Sequence, residues 1–325
     1  MSSKWAAGAA TLVLVVALTS VLANSAVFGW VSKTPATSIN NKITAATDFI
    51  APTITETVIG KTTGGIAGTI RKGGTYYVYA NAADTGNPAT GVSTVKANVS
   101  TITSGQTAAT LSAGTFTVEG ETFTRRSASL TASSTLAAGS ASYSLTATDA
   151  NANARTESGF TVAVDNTALT GTDIQIANGG AIAGRADIGD KITFTFSKEL
   201  DPNSVLASWN GAATSVVVRL NQATKDTVTI YNATNATLLP LGTISLNATD
   251  YTTASLTFGA TGTASTMEMS GNQIFVVLGT QSAAATTAAA TGTMIWTPAA
   301  GATDASGNPT STTAVNESGT ADKEF

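Results

Sequence analysis

Lys191-Ile192-Thr193-Phe194-Thr195-Phe196-Ser197 alternates without a break. Successive side chains of a strand face opposite ways, so Ile192, Phe194 and Phe196 share one face and the Lys, Thr and Ser side chains share the other. That is a strand with one buried face and one wet face. The pattern recurs along the chain at Phe116/Val118, Tyr143/Leu145/Ala147, Phe160/Val162/Val164, Val228/Ile230 and Met294/Trp296. Turn residues interrupt the runs, as at Asp84–Pro88 after Thr75–Ala80. Ile274-Phe275-Val276-Val277-Leu278 is apolar throughout, as a strand buried on both faces would be. Tyr77 and Tyr79 fall on one face, where cross-strand packing would use them. No amphipathic helix is apparent. Asp201-Pro202-Asn203-Ser204-Val205-Leu206 has the signature of a single helical turn, with Asp as N-cap and Pro at N1. The fold expected is all-β, a sandwich of short strands.

Composition narrows the chemistry. The 325 residues include no His and no Cys, which excludes Ser-His and Cys-His nucleophile pairs, His/Cys zinc sites and disulfides. Charged residues make up 11%, with 16 Lys+Arg against 20 Asp+Glu. The basic residues are scattered, so the clustered cationic face of a nucleic-acid binder is missing. Thr occupies 60 positions, suiting strands whose exposed face is hydroxylated.

A single Lys4 precedes an uncharged stretch, Trp5–Ser32, whose core Ala6–Leu22 is apolar apart from Thr and Ser. A basic start, an apolar core and small residues near Ala23 and Ser25 describe a signal peptide over residues 1–25. A span of this length also suits a retained membrane anchor, or, less simply, a buried helix. The next residues, Ala26-Val27-Phe28-Gly29-Trp30-Val31-Ser32 and Asn40-Asn41-Lys42-Ile43-Thr44-Ala45, resemble the start of proteins exported by the SipW-type signal peptidase, the TasA class of matrix proteins and their actinobacterial relatives. That resemblance implies a secreted surface or matrix protein. Val27–Ser32 reads equally as the first strand of a β-domain, with Phe28 and Trp30 on one face.

Length alone suggests about two domains. Tyr143–Asn153 followed by Val164-Asp165-Asn166-Thr167-Ala168 resembles the end of a bacterial Ig-like domain, where members read T-A-T-D-x-A-G-N and then V-D-N-T-A-P. This chain has Asn151-Ala152-Asn153 in the first motif and Leu169 in place of Pro, which makes a less rigid hinge the expectation. Asp187–Pro202 and Asp304-Ala305-Ser306-Gly307-Asn308-Pro309 resemble the opening and close of the Ig-like domains of S-layer and other bacterial surface proteins. The resemblances imply an N-terminal signal or anchor helix (1–25), an extension able to act as a donor strand (26–50), and two tandem Ig-like β-sandwich domains (51–167 and 168–325).

Candidate sites are few. Asp149, Asn151 and Asn153 have the spacing that opens a calcium loop, but position six is Ala154 and position twelve is Phe160, so an Asx-type turn competes and is favoured. Asp187, Asp190, Asp201 and Asp304 are a second set that one pole of the second domain could gather around calcium, although Asp304 and Asn308 flank a Gly turn and hairpin geometry explains them equally well. Trp209 and Trp296 suit core packing better than sugar stacking. Ser197-Lys198 would point its two side chains oppositely, which disfavours a Ser-Lys dyad. No cofactor is expected, calcium apart.

The expectation is a non-enzymatic, secreted structural protein of the cell surface or extracellular matrix. Its partners would be further copies or cell-envelope components, not nucleic acid, with membrane contact only through an uncleaved N-terminal segment. Val27, Phe28, Trp30 and Val31 would insert into the sheet edge of a neighbour. The alternatives are a monomeric adhesin binding glycan or protein, and a membrane-anchored stalk.

Overall fold

Alternation along the chain becomes two largely antiparallel sheets in the computed structural model, which describes residues 47–64 and 66–325. The proposed signal or anchor segment and Val27, Phe28, Trp30 and Val31 lie outside the described residues. No helix among the described residues is long and apolar enough to cross a membrane.

The first sheet comprises β1 (Thr53–Lys61), β2 (Thr69–Ile70), β3 (Thr75–Ala83), β4 (Val92–Asn98), β5 (Ala109–Val118), β6 (Glu121–Ser127), β7 (Leu130–Thr131), β8 (Gly139–Asp149) and β9 (Ala154–Val164). Its order is β1-β3-β6-β5-β4-β8-β9-β2, with β7 on β3. The β2–β9 pair is parallel and the others are antiparallel. The sheet folds over on itself, so that β1 meets β2 and β9, and Gly60 bridges Ala67. Tyr76, Val78, Val95, Leu111, Leu145 and Val162 fill the enclosed space. Burial pushes the Tyr76 hydroxyl up to about 12 despite its hydrogen bond with Thr103.

The second sheet comprises β10 (Gly171–Ala177), β11 (Lys191–Phe196), β12 (Thr214–Asn221), β13 (Thr227–Asn232), β14 (Thr243–Ser245), β15 (Leu256–Phe258), β16 (Ser265–Ser270), β17 (Gln273–Val277), β18 (Ile295–Thr297) and β19 (Val315–Asn316). Its order is β10-β11-β17-β16-β12-β13-β14-β18-β19, with β15 on β12. It too folds over, bringing β10 against β18 and β19. Among the described residues the strand pairing passes from one sheet to the other between Val164 and Gly171, within one compact unit, Asp48–Phe325. The fold is essentially all-β and sandwich-like.

The β11 alternation does what its pattern demands: Ile192, Phe194 and Phe196 are buried. Phe194 and Phe196 meet the fully buried Trp296 edge-on, with ring centroids 5.3 Å and 5.0 Å apart. The indole N–H is not orphaned, because it donates to the Leu241 carbonyl at 2.7 Å. Gly171 passes so close that a Cβ there would sit 2.5 Å from the indole ring. Trp209 is buried as well and donates to Ala212 O. Both tryptophans therefore belong to the core.

One strand departs from expectation and a second goes beyond it. In β17 only Ile274 and Val276 are buried, while Phe275 and Val277 are half-exposed. Phe275 lies on the outer face under the Lys191 ammonium, 4.2 Å from the ring centroid, so the lysine stem and charge cover a face that the apolar run had suggested was dry. In β3, Tyr77 and Tyr79 do share a face, and they build a second, smaller core there. The β5–β6 hairpin lies beside β3 in the same sheet and brings Phe123 to Tyr79 at 5.7 Å, while Arg126 spans the rings of Tyr77 and Phe116.

Replacing Trp296 with Ala should cost about 3–5 kcal/mol by urea unfolding, the range for emptying a large aromatic site; a loss below about 1 kcal/mol would contradict its central place in the core.

Candidate functional site

The polar groups that both sequence and folding concentrate lie where the halves meet. Lys61 ends β1 and is buried there, its Nζ 2.7 Å from Asp201 Oδ2 and 3.2 Å from the Asp304 carbonyl. Asp201 divides its work. Its Oδ1 accepts from Asn203 N at 3.0 Å, capping the single-turn helix α1 (Pro202–Val205), with Pro at the first turn as the sequence implied. Its Oδ2 takes the lysine. Gly64, at φ +82°, lies so close that a Cβ would come within 2.1 Å of that oxygen.

Lys198 makes the second tie, bridging Asp165 Oδ2 at 2.5 Å and Asp304 Oδ2 at 2.8 Å and donating to Thr167 O. Burial works against the charge of Asp165, but hydrogen bonds from Lys198 and Thr167 outweigh it and hold the carboxyl below its usual range. Burial likewise opposes the Lys198 charge, and its bonds to Asp165 and Asp304 outweigh it and raise the amine. Thr69 Oγ1 pairs with Ser306 Oγ, and Asn166 accepts from Lys72 N and donates to Leu136 O. An open pocket of about 260 Å³ beside Lys198 is lined by Thr69, Asp165, Glu199, Asp304 and Ser306.

The segment between the sheets is held by these contacts, where the missing proline had suggested a less rigid hinge than usual. Leu169, standing where a proline was expected, is fully buried in the second core, and its carbonyl accepts from Ser311 N at 2.7 Å. A leucine can fill the core, which replaces the stiffness of a proline ring with side-chain packing.

Asp149, Asn151 and Asn153 are brought together as a closed turn. Asp149 Oδ1 accepts from Asn153 N at 2.8 Å and Oδ2 from Asn153 Nδ2 at 2.7 Å, while the amides of Asn151 and Asn153 reach the Asp48 carbonyl. The Asp304–Asn308 turn repeats the device: Asp304 accepts from Asn308 N and Nδ2, and Asn308 Nδ2 reaches the Asp165 carbonyl at 2.9 Å. The halves correspond further. Ile50 N donates to Asp48 as Thr167 N donates to Asp165. Asp84 follows Asp48 by the same interval as Asp201 follows Asp165.

In the first half the carboxylates of Asp48, Asp84 and Asp149 lie with one oxygen each within 4.8 Å of the others, a convergence that local spacing does not reveal. Every one of their oxygens accepts from an amide or hydroxyl: Asp48 from Ile50 and Thr90, Asp84 from Gly86 and Gly91, Asp149 from Asn153. The Ile50 N–H is the main reason that Asp48 is held below its ordinary value. Among the described residues no lysine or arginine salt bridge reaches them, whereas the corresponding aspartates of the second half hold Lys61 and Lys198.

The other expected aspartate set does not gather. Asp187 and Asp190 precede β11 and Asp201 follows it, so the six-residue strand puts about 20 Å between the pairs. Asp190 accepts from the amides of Gly179, Gly180 and Asp187, and burial raises it all the same. Ser197 accepts from Thr170 N while Lys198 enters the junction. No family model matches this sequence, and no curated protein matches it either.

Lys61→Met should lower stability by about 3–5 kcal/mol in urea unfolding, since Asp201 would keep an unpaired charge in a dry setting, and a loss below about 1 kcal/mol would mean that the pair behaves as an exposed one. The junction also sets a pH window. The contribution of Asp165, depressed when folded, is present above its ordinary value of 3.8 and is lost as pH falls through its lower folded value. That of Lys198, raised when folded, is complete below 10.5 and is lost as pH rises through its higher folded value. The stability difference between wild type and Lys198→Met should thus be flat near neutral pH and shrink at both extremes, which urea titrations at a series of pH values would test.

Proposed function

We propose that the chain is a non-enzymatic structural component of a bacterial cell surface or extracellular matrix, secreted through its N-terminal apolar segment and built on two tandem Ig-like sandwiches. The observation that carries this reading is the junction. A lysine from one half is seated against the acidic end of the next, backed by a second lysine and the Asp304–Asn308 turn. Such a joint fixes how consecutive modules are presented, which is what a scaffold requires. The hydroxyl-rich composition and low charge support an extended, water-facing role in the same direction.

The proposed mechanism is head-to-tail self-association, an open contact that adds copies without closing. The segment 26–50 supplies a strand to a neighbour, with Val27, Phe28, Trp30 and Val31 setting register. The first half offers a second support for this reading. Beside its three aspartates, Phe49 is 81% exposed and Ile50 is 52% exposed, at the positions that correspond to Asn166 and Thr167 of the internal junction. Asn166 touches the preceding half there. A large apolar pair left in water at the counterpart position suits contact with a neighbouring copy.

Electron microscopy of the purified secreted protein should show filaments, and deletion of Ala26–Val31 should leave a folded monomer. Filaments from the deletion variant would overturn strand addition. The double replacement Phe49→Ser and Ile50→Ser should leave the unfolding midpoint within about 0.5 kcal/mol of wild type, as for exposed positions, while weakening self-association in sedimentation velocity. A wild-type protein that stays monomeric and binds a glycan saturably would favour the adhesin reading instead.

A further inference from the structure

Three acidic side chains close the far end of the second half. Glu317 directly follows β19, with its N–H donating to Met294 O at 3.0 Å. Asp322 is held by a bridge to Gly292, whose N–H donates to Asp322 O at 2.8 Å. Glu324 N donates to the Tyr251 hydroxyl at 2.7 Å, and the next residue, Phe325, packs edge-on against the Tyr251 ring at 5.7 Å. The backbone of each acidic residue is thus positioned independently of its carboxylate.

The carboxylates converge all the same. One oxygen from each of Glu317, Asp322 and Glu324 lies within 4.8 Å of the other two. Oxygens bound to one calcium at 2.3–2.6 Å can be at most about 5 Å apart, so this spacing lets all three reach one shared ion. Glu324 is 1% exposed, and its Oε1 accepts no hydrogen bond; neither does the buried Oε1 of Glu317. Among the described residues no lysine or arginine pairs with any of the three. Buried carboxylate oxygens without a donor or a cation are costly, and native structures rarely keep them so. The contrast with Asp48, Asp84 and Asp149, whose oxygens are all satisfied by amides and hydroxyls, is direct.

We infer that Glu317, Asp322 and Glu324 form a calcium site that fastens the segment 317–325 to the second half. An all-carboxylate set selects a hard cation, and irregular spacing on a loop suits calcium better than magnesium, which demands a near-ideal octahedron.

The test is thermal unfolding and calorimetric titration of the full secreted chain with calcium chloride, after chelator treatment. Calcium at a few times its dissociation constant should raise the midpoint by about 2–4 °C. Asp322→Asn, at an exposed side chain that should fold normally, and Glu324→Gln should each abolish the calcium response, while Asp84→Asn in the first half should retain it. Absence of any calcium shift in the wild type, or an undiminished shift in both Asp322→Asn and Glu324→Gln, would overturn the site. An equal shift with magnesium would overturn the choice of calcium.

Discussion

The structure depends on one buried charge. Lys61 has left water at the end of β1, and an ammonium in that position is tolerable only with a carboxylate and a carbonyl in contact. That requirement places Asp201, and Asp201 can serve only because its second oxygen caps α1 and so fixes the side chain. Gly64 leaves the space that the carboxylate occupies. Lys198 then compensates Asp165 and Asp304, two further acids that the same end of the second half would otherwise bring together uncompensated. The pairing between halves is thus a chain of dependences, each group satisfied by the next, and removal of any early member strands those after it.

The same geometry is written twice. Each half begins with an aspartate whose carboxylate accepts from the N–H two residues on, and each carries an Asp-to-Asn turn whose amide reaches back to that first residue. The turn locks the leading segment of a half to its own body. In the second half that body also faces a neighbour, so lysines enter. In the first half the corresponding acids are arranged in the same way with amides and a hydroxyl as their donors. A junction built from a repeated motif is how a modular surface protein extends, and it underlies the structural role proposed for this chain.

Strand alternation could be read directly because burial on one face imposes a period of two, and β11, β8 and the capped turn at Asp201 all follow their patterns. What escaped such reading was long-range or two-sided. The apolar run of β17 does not show that Lys191 will cover its outer face. Leu169 looks like the loss of a rigid proline until the second core is seen to need its side chain. Asp48, Asp84 and Asp149 converge from separate strands and loops, and Glu317, Asp322 and Glu324 meet because Tyr251 and Gly292 hold their backbones. One signal for the first convergence was present: Asp48-Phe49-Ile50-Ala51-Pro52-Thr53 parallels Asp165-Asn166-Thr167-Ala168-Leu169-Thr170, and the 36-residue interval to Asp84 and Asp201 is shared. Read as an internal repeat, it would have aligned the acidic ends of both halves.

A scaffold built in this way must behave as one body. Differential scanning calorimetry of the wild type beside a Lys61→Met, Lys198→Met double variant tests that most directly. The wild type should show one cooperative transition, with equal calorimetric and van't Hoff enthalpies, and the variant two separate transitions. A wild type that already unfolds in two steps, or a variant that keeps a single one, would contradict that expectation.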